Sequence, residues 1–121
     1  MRRCLIVDDS EVIRKVARRI LESLDFEVSE AENGQEAVER CIQHTPDVVL
    51  LDWQMPVMNG LEFLGALRLS AKGVRPRVVY CLTENDPGEI SRAFLGGADD
   101  YILKPYDRGT ITAKLSAAGL V

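Results

Sequence analysis

Several polar side chains of this 121-residue chain follow short apolar segments, and their types suit metal and phosphoryl chemistry. Three carboxylates that meet at one place repel each other, and each is costly to keep ionised unless a cation shares the site. Oxygen ligands of this kind are those that Mg²⁺ prefers. A divalent ion and a lysine could together balance three carboxylates. The residues in question are Asp8, Asp9, Asp52, Thr83 and Lys104.

A carboxylate beside a metal ion, a lysine and a hydroxyl group could attack phosphorus and form an acyl phosphate. The metal would accept a phosphoryl oxygen at an open coordination position. The metal and Lys104 would counter the charge that develops on the equatorial oxygens. These residue types therefore predict transfer of a phosphoryl group to an aspartate.

The apolar pattern predicts how the chain brings these residues together. Five short apolar segments alternate with longer amphipathic segments, which indicates a βαβαβαβαβα order and a parallel sheet. Right-handed crossovers place helices on both faces of such a sheet, and its ligand crevice lies at the carboxyl ends of the strands. The predicted strands are residues 4–7, 27–29, 48–51, 78–82 and 101–103, of which 27–29 is polar enough for an edge.

Helical periodicity predicts which faces of the intervening helices are buried. In the first helix, over about residues 12–24, the apolar stripe includes Val12 and Val16, and in the second it includes Ile42. The later helices are expected from about residue 60 to near 72–73, from Asp86 as N-cap to Gly96, and from about residue 107. The basic residues of the first helix are predicted to form a solvated face, or else to dock an acidic partner: Arg14, Lys15, Arg18 and Arg19.

Composition narrows the class of protein. The length predicts a single domain over residues 1–121. Fifteen Lys and Arg against 19 Asp and Glu give a net charge of -4, which does not favour nucleic acid or an anionic membrane. The three cysteines are far apart, which is typical of reduced thiols, and no apolar run approaches a membrane span or signal peptide. We therefore expect a cytoplasmic protein without membrane insertion.

Four segments of the chain resemble receiver domains of two-component response regulators, of the stand-alone CheY-like type. The segments are LIVDDS from residue 5, DVVLLDWQMPVMNG from residue 47, LT from residue 82 and GADDYILKPY from residue 97. They are spread over residues 5–106, nearly the length of the chain, in the expected order and spacing. The resemblance implies an α/β, flavodoxin-like (βα)5 fold, doubly wound around a five-stranded parallel sheet of order 2-1-3-4-5.

The resemblance also assigns the acidic residues their roles. It implies that Asp52 is the phosphoacceptor and that Asp9 is a direct Mg²⁺ ligand. Asp8 would act on the metal largely through water, and the backbone carbonyl of Gln54 would complete the protein's share of the metal ligands.

The remaining roles fall on the last two strands. Thr83 would donate a hydrogen bond to the phosphoryl group and Lys104 would pair with it, while Tyr101 would change rotamer as part of the switch. The Lys104–Pro105 peptide matches one that is cis in the family. At Glu84, where the family usually has a small residue, a bulky anionic side chain would stand at the mouth of the site and modulate phosphotransfer.

Each residue also has a plainer interpretation. Taken alone, Asp8 and Asp9 could be helix N-caps, and Thr83 and Lys104 could be ordinary surface residues. The single histidine, His44, is interpreted as a residue at the end of the second helix before Pro46, and Trp53 as a half-exposed neighbour of the site. The convergence of the polar residues at one sheet edge argues against interpreting them as caps and surface residues.

Four functions could make use of residues of these types. The leading one is a signalling switch that takes a phosphoryl group from a histidine kinase or histidine phosphotransfer protein onto Asp52 with Mg²⁺. An aspartyl phosphatase would usually have a second carboxylate as acid/base two residues after the nucleophile, where this chain has Gln54. A flavodoxin-like nucleotide binder would want a glycine-rich loop after the first strand. A pseudo-receiver that binds partners without phosphorylation remains open because of Glu84.

For the leading function we expect no enzymatic activity beyond self-phosphorylation and slow self-dephosphorylation. We expect no output domain after the receiver segments, and therefore an output that is contact with a protein target. The expected contact face is the fourth helix, fifth strand and fifth helix, and the chain is expected to be a monomer that binds no nucleic acid.

Overall fold

The structure, a computed structural model, describes residues 2–53, 55, 57–70 (only the backbone at residue 70) and 76–121. Strands and helices alternate along these residues. The strands are β1 (Arg3–Val7), β2 (Glu27–Ala31), β3 (Val48–Asp52), β4 (Arg77–Leu82) and β5 (Asp100–Leu103). The helices are α1 (Glu11–Ser23), α2 (Gly34–Gln43), α3 (Gly60–Ser70), α4 (Pro87–Gly96) and α5 (Arg108–Ala117).

The five strands form one parallel sheet in the order β2-β1-β3-β4-β5, which confirms the predicted flavodoxin-like fold. β3 is buried along its whole length between β1 and β4. Among the described residues β2 pairs only with β1. Its residues alternate between exposed and half-buried up to the buried Ala31, as suits an edge strand. All five strands run in one direction, so their carboxyl ends lie along one edge of the sheet.

Two apolar layers cover the two faces of the sheet. On one face, Phe63 and Leu64 of α3 and Ala93 of α4 pack against side chains such as Leu51 and Tyr80. On the other face, α1 and α5 cover the alternate strand residues. Successive strand residues point to opposite faces, so burial on both faces requires continuous apolar runs. The members of the second layer include Ala17, Leu21, Ile111, Leu115, Ile6, Leu50 and Cys81.

Polar side chains cap the starts of all five helices. The Ser10 hydroxyl accepts a hydrogen bond from the backbone N–H of Ile13, so Ser10 is the N-cap of α1. Asp86 caps α4 as predicted, and α4 ends at Gly97, whose φ of 111° is in the left-handed region. Because Ser10 takes the cap, Asp8 and Asp9 are left for another role.

Three apolar residues that we expected in the core are exposed. Val12 and Val16 in α1 are 70% and 45% exposed, and Ile42 in α2 is 75% exposed. In α1 the line of residues Ala17 and Leu21 contacts the sheet. Val12 and Val16 lie on the neighbouring i, i+4 line, so the apolar stripe is wider than the face that the sheet can cover.

The expectation of a solvated basic face on α1 is wrong for two of its four residues. The side chains of Arg14 and Arg18 are only 14% and 35% exposed, and both form ion pairs with Glu30 of β2. Edge strand β2 lies beside α1, and Glu30 of this strand covers the flank of the helix that carries the two arginines.

Two further predictions concern the end of α3 and membrane insertion. The predicted end of α3 near residues 72–73 lies outside the described residues. In the described part of the chain, every helix is too short or too polar to cross a bilayer.

Candidate functional site

The site is built from residues at the carboxyl ends of the strands or directly after them. Asp8 follows β1 and is 2% exposed. Its backbone N–H donates to the carbonyl of Ala31 at 3.1 Å, which continues the pairing of β1 with β2. Its Oδ1 atom accepts a hydrogen bond from the backbone N–H of Ser10 at 2.9 Å. The end of β1 and the start of α1 thus fix this carboxylate from two sides.

A single ammonium group joins two of the predicted aspartates. Lys104, which follows β5, places its Nζ atom 2.7 Å from Oδ2 of Asp8 and 2.8 Å from Oδ1 of Asp52. Asp52 ends β3 and is 4% exposed. The Lys104 backbone N–H donates to the carbonyl of Leu82 at 2.7 Å, which ties the lysine to the end of β4. The Lys104–Pro105 peptide is cis, as the resemblance implies.

Burial and charge shift the ionisation of this pair. Burial raises the pKa of Asp52 to about 6; the hydrogen bond from Lys104 opposes this shift, and the charges of Asp8 and Asp9 add to it. Burial alone would lower the pKa of Lys104, but its bonds to Asp52 and Asp8 outweigh burial and leave that pKa above its usual value. Lys104 is therefore cationic. A further cation beside Asp52 would favour the ionised form of the Asp52 carboxylate.

Asp9 completes a set of three carboxylates. Asp8, Asp9 and Asp52 each offer one oxygen, and these three atoms lie within 4.8 Å of one another. Asp9 is exposed, and within residues 2–53 and the other described ranges its carboxylate forms no hydrogen bond or ion pair. An all-oxygen set of this kind fits a hard divalent cation. Gln54, whose carbonyl was assigned to the metal, lies outside the described residues.

Thr83 and Glu84 lie at the end of β4, beside the acidic residues. Both are exposed, and Thr83 directly follows Leu82, the residue that accepts from Lys104. The structure therefore brings Thr83 to the same sheet edge as Lys104 and Asp52. Glu84 is the next residue outward, on the solvent side of the strand end.

Tyr101 lies on β5, away from the carboxylates. Its half-buried ring meets Phe94 of α4 edge to face, with ring centroids 6.3 Å apart and an interplanar angle of 89°. The Nζ atom of Lys114 lies 4.9 Å from the ring centroid and 3.0 Å from Oδ1 of Asp100. Contacts from α4 and α5 thus hold Tyr101 at the junction of the predicted partner face.

The sequence reasoning missed one side chain that contacts the site. Arg14 donates from Nη1 to the backbone carbonyl of Asp8 at 2.7 Å and from Nε to Oε1 of Glu30 at 3.0 Å. A signal was available, because Arg14 lies one helical turn after Ser10 and therefore near the end of β1. The acceptor of its hydrogen bond could not be predicted, because every residue has a backbone carbonyl and the sequence does not show which one is used.

A second polar contact was also missed. Glu89 of α4 is 8% exposed, and its Oε1 accepts from the hydroxyl of Tyr80 on β4 at 3.3 Å. Its Oε2 pairs with Arg92 at 2.7 Å. The sequence indicated only that Glu89 belongs to the first turn of α4. In the fold it joins that turn to the central sheet.

The remaining assignments agree with the structure. His44 is the C-cap residue of α2, and its Nδ1 lies 3.3 Å from Nη1 of Arg3, away from the acidic set. Trp53 is half-buried directly after Asp52.

Comparisons with known proteins agree with this geometry. Residues 4–116 match the family described as the response regulator receiver domain. The chain is 39% identical over 119 residues to chemotaxis protein CheY of Listeria monocytogenes, with 98% of each chain covered. It is 36% identical over 113 residues to CheY of Halobacterium salinarum, covering 93% of this chain and 92% of the relative. The structure of CheY4 from Vibrio cholerae superposes with a TM-score of 0.91 at 31% identity, covering 97% of this chain and 98% of that one.

Proposed function

Because this chain belongs to the response regulator receiver domain family of two-component systems, we propose that it is a phosphorylation-dependent switch with Asp52 as phosphoacceptor. The observation that carries the proposal is the position of Lys104, whose ammonium group bridges Asp52 and Asp8 at the carboxyl edge of the sheet. A cation held there is suited to counter the charge of a phosphoryl group on Asp52.

Among the three carboxylates, Asp52 is the one suited to be the nucleophile. Both oxygens of Asp8 accept hydrogen bonds, from Ser10 and from Lys104, and Asp9 is exposed. Asp52 is buried, yet only its Oδ1 has a partner within the described part of the chain. Its other oxygen is free to attack a phosphorus atom.

The proposed reaction is transfer of a phosphoryl group from a phosphohistidine. A carboxylate oxygen of Asp52 forms the new bond to phosphorus while the bond from phosphorus to the histidine nitrogen breaks. The electron pair of that bond leaves with the nitrogen, which is then protonated. Lys104 pairs with the phosphoryl oxygens, and the Thr83 hydroxyl at the end of β4 donates a hydrogen bond to one of them.

The donor set fits Mg²⁺, and we assign the metal to these residues. As the resemblance implies, Asp9 and Asp52 would bind it directly and Asp8 largely through water, and both oxygens of Asp8 already have partners. The backbone carbonyl of Gln54 would be a further ligand. When bound, the ion supplies neutralisation of the carboxylates and a contact for a phosphoryl oxygen.

The proposed output is a change in protein binding, with no reaction on a separate substrate beyond self-phosphorylation and slow self-dephosphorylation. The donor is a histidine kinase or a histidine phosphotransfer protein. Exposed apolar side chains on α4 and β5 support a partner face formed by α4, β5 and α5: Phe94, Leu95 and Leu103. We further propose that the chain acts as a cytoplasmic monomer.

A second candidate is a pseudo-receiver that binds its partner without phosphorylation. The observation that favours it is Glu84, an exposed carboxylate next to Thr83 at the strand end where a phosphoryl group would lie. A fixed negative charge there would repel an anionic donor.

Labelling with acetyl phosphate separates the two candidates. Intact-mass spectrometry should show one added phosphoryl group with Mg²⁺ and none with EDTA. Asp52→Asn should remain unlabelled, while the control Asp47→Asn, which lies at the opposite end of β3, should label like the wild type. Equal labelling of Asp52→Asn would refute the assignment, and absence of labelling in the wild type would favour the pseudo-receiver.

A further inference from the structure

The peptide that joins Asp8 to Asp9 is held by a side chain from α1. Arg14 donates from Nη1 to the Asp8 carbonyl at 2.7 Å, and this is the carbonyl of the peptide whose nitrogen belongs to Asp9. A charge-assisted bond of this length fixes the orientation of the peptide plane. The direction in which the Asp9 side chain leaves the backbone depends on that plane.

Arg14 is itself anchored by Glu30. The Arg14 side chain is only 14% exposed, and its Nε donates to Oε1 of Glu30 at 3.0 Å. Glu30 is paired in register with Ile6 of β1, so the sheet fixes the glutamate close to the end of β1. The guanidinium thus bridges two fixed oxygens, one on a side chain of β2 and one on the backbone after β1.

The charge state of Glu30 favours this bridge. Burial raises its pKa, but the hydrogen bonds from Arg18 and Arg14 outweigh burial and hold the pKa below its usual value. The anchor is therefore an ionised carboxylate at neutral pH. Arg18 donates to the other oxygen, Oε2 of Glu30. It has no bond to Asp8 among the described residues.

We propose that Arg14 is a positioning residue for Mg²⁺ binding and that Glu30 is its anchor. This inference rests on the proposed function, because it requires that Asp9 binds the metal. Arg14 does not touch the metal or the phosphoryl group. It holds the peptide between Asp8 and Asp9 in one orientation before the ion arrives, so binding does not have to order that peptide.

Charge alone would have the opposite effect. Arg14 is a cation bound to the backbone of Asp8, so its removal should strengthen binding of a divalent cation if electrostatics decided the outcome. The positioning role requires that its removal weakens binding. The sign of the change in Mg²⁺ affinity upon Arg14→Gln therefore distinguishes the two effects.

Arg18→Gln is the matched control. The two arginines lie one turn apart on α1, and both pair with Glu30. Each substitution removes one positive charge and one bond to that carboxylate. Only Arg14→Gln also removes the bond to the Asp8 carbonyl.

The direct experiment is a Mg²⁺ titration followed by the fluorescence of Trp53, the sole tryptophan, which adjoins Asp52. We expect the dissociation constant to rise about tenfold in Arg14→Gln, at the low end of the loss typical when a residue supporting metal ligands is removed. Glu30→Gln should also weaken binding, whereas Arg18→Gln should stay within about twofold of the wild type. An unchanged or lower dissociation constant in Arg14→Gln overturns the proposal.

A second measurement distinguishes positioning from general damage to the fold. Labelling by acetyl phosphate should be slower in Arg14→Gln at limiting Mg²⁺ and return close to the wild-type rate at saturating Mg²⁺. A rate that stays low at saturating Mg²⁺ would show that the substitution damages the site itself, and would refute a pure positioning role.

Three further outcomes separate the positioning role from the proposed function. If Arg14→Gln does not fold, Arg14→Lys and Glu30→Gln carry the test; unchanged Mg²⁺ affinity in both contradicts the proposal. If the wild type shows neither a Mg²⁺ response nor labelling, the proposed function fails. If the wild type shows both but Arg14→Gln matches Arg18→Gln, only the positioning role fails.

Discussion

The ammonium group of Lys104 lies 2.8 Å from the carboxylate of Asp52, although the two residues belong to strand ends that are separated by β4 in the sheet. The same group lies 2.7 Å from Asp8, so one cation faces two buried carboxylates. The site therefore holds excess negative charge in the absence of metal. Ionised Asp52 contributes to this charge and lowers the stability of the folded state.

Asp52→Asn should stabilise the metal-free protein. The pKa of Asp52 is raised to about 6, so the folded state holds its proton more tightly than the unfolded state, and stability falls as pH rises from about 4 to about 6. Removing the charge should raise the free energy of unfolding at pH 7.5 by about 1–3 kcal/mol, since Lys104 keeps Asp8 as its partner. Urea denaturation in EDTA measures this, with Asp47→Asn as control. A loss of stability would contradict the charge argument.

Glu30 should contribute stability that is lost in acid. Its folded pKa lies below the usual value, because the bonds from Arg18 and Arg14 outweigh burial, which acts to raise it. The contribution is thus complete above the unfolded pKa and disappears as pH falls through the folded value. We expect the stability difference between wild type and Glu30→Gln to be about 1 kcal/mol at pH 7 and to vanish at low pH. A difference independent of pH between 7 and 3 would refute this origin.

Val57→Asn should stabilise the protein. Val57 has a φ of 70° and is 80% exposed, so a branched side chain occupies the left-handed region without burial in return. Asparagine tolerates this region better, and we expect a gain of about 0.5–1 kcal/mol in the free energy of unfolding. Val12→Asn, an exposed valine in α1, is the control and should give no gain. Equal effects of the two substitutions would argue against backbone strain at Val57.

Glu84→Ala should accelerate labelling by acetyl phosphate. The Glu84 carboxylate is exposed next to Thr83 and should repel an anionic donor. We expect a rise of a few fold at low salt that shrinks as added salt screens the charge. Glu39→Ala removes an exposed carboxylate on α2 and should leave the rate unchanged. An equal or slower rate in Glu84→Ala would show that Glu84 does not restrict access.

Thr83→Ala should separate phosphorylation from its consequence. The threonine hydroxyl at the end of β4 is proposed to bind the phosphoryl group, and its movement would free space for the Tyr101 ring on β5. The variant should still label at Asp52, while the amide chemical shifts of α4, β5 and α5 change much less than in the wild type. The expected coupling is about 1–3 kcal/mol. Thr45→Ala, at the end of α2, is the control, and full wild-type shifts in Thr83→Ala would exclude coupling through Thr83.

Much of the fold could be predicted because its signals are local. Strands β1, β3 and β4 are continuous apolar runs, and a run of that kind is required wherever helices cover both faces. Asp52 and Thr83 directly follow such runs, so their place at the carboxyl edge follows from the strand assignments. The cap at Asp86 also depends only on neighbouring residues, which is why the start of α4 was predictable.

Arg14 shows the kind of information that local signals lack. Periodicity correctly placed it away from the apolar stripe of α1 and could only assign that face to solvent. Whether solvent or protein covers a helix flank depends on which strand lies beside it. Here edge strand β2 brings Glu30 against Arg14 and Arg18, and the end of β1 offers the Asp8 carbonyl. Residue types and spacing predicted the cluster of three carboxylates. The assembled sheet and helix, by pairing residues 16 positions apart, determined how the peptide between Asp8 and Asp9 is held.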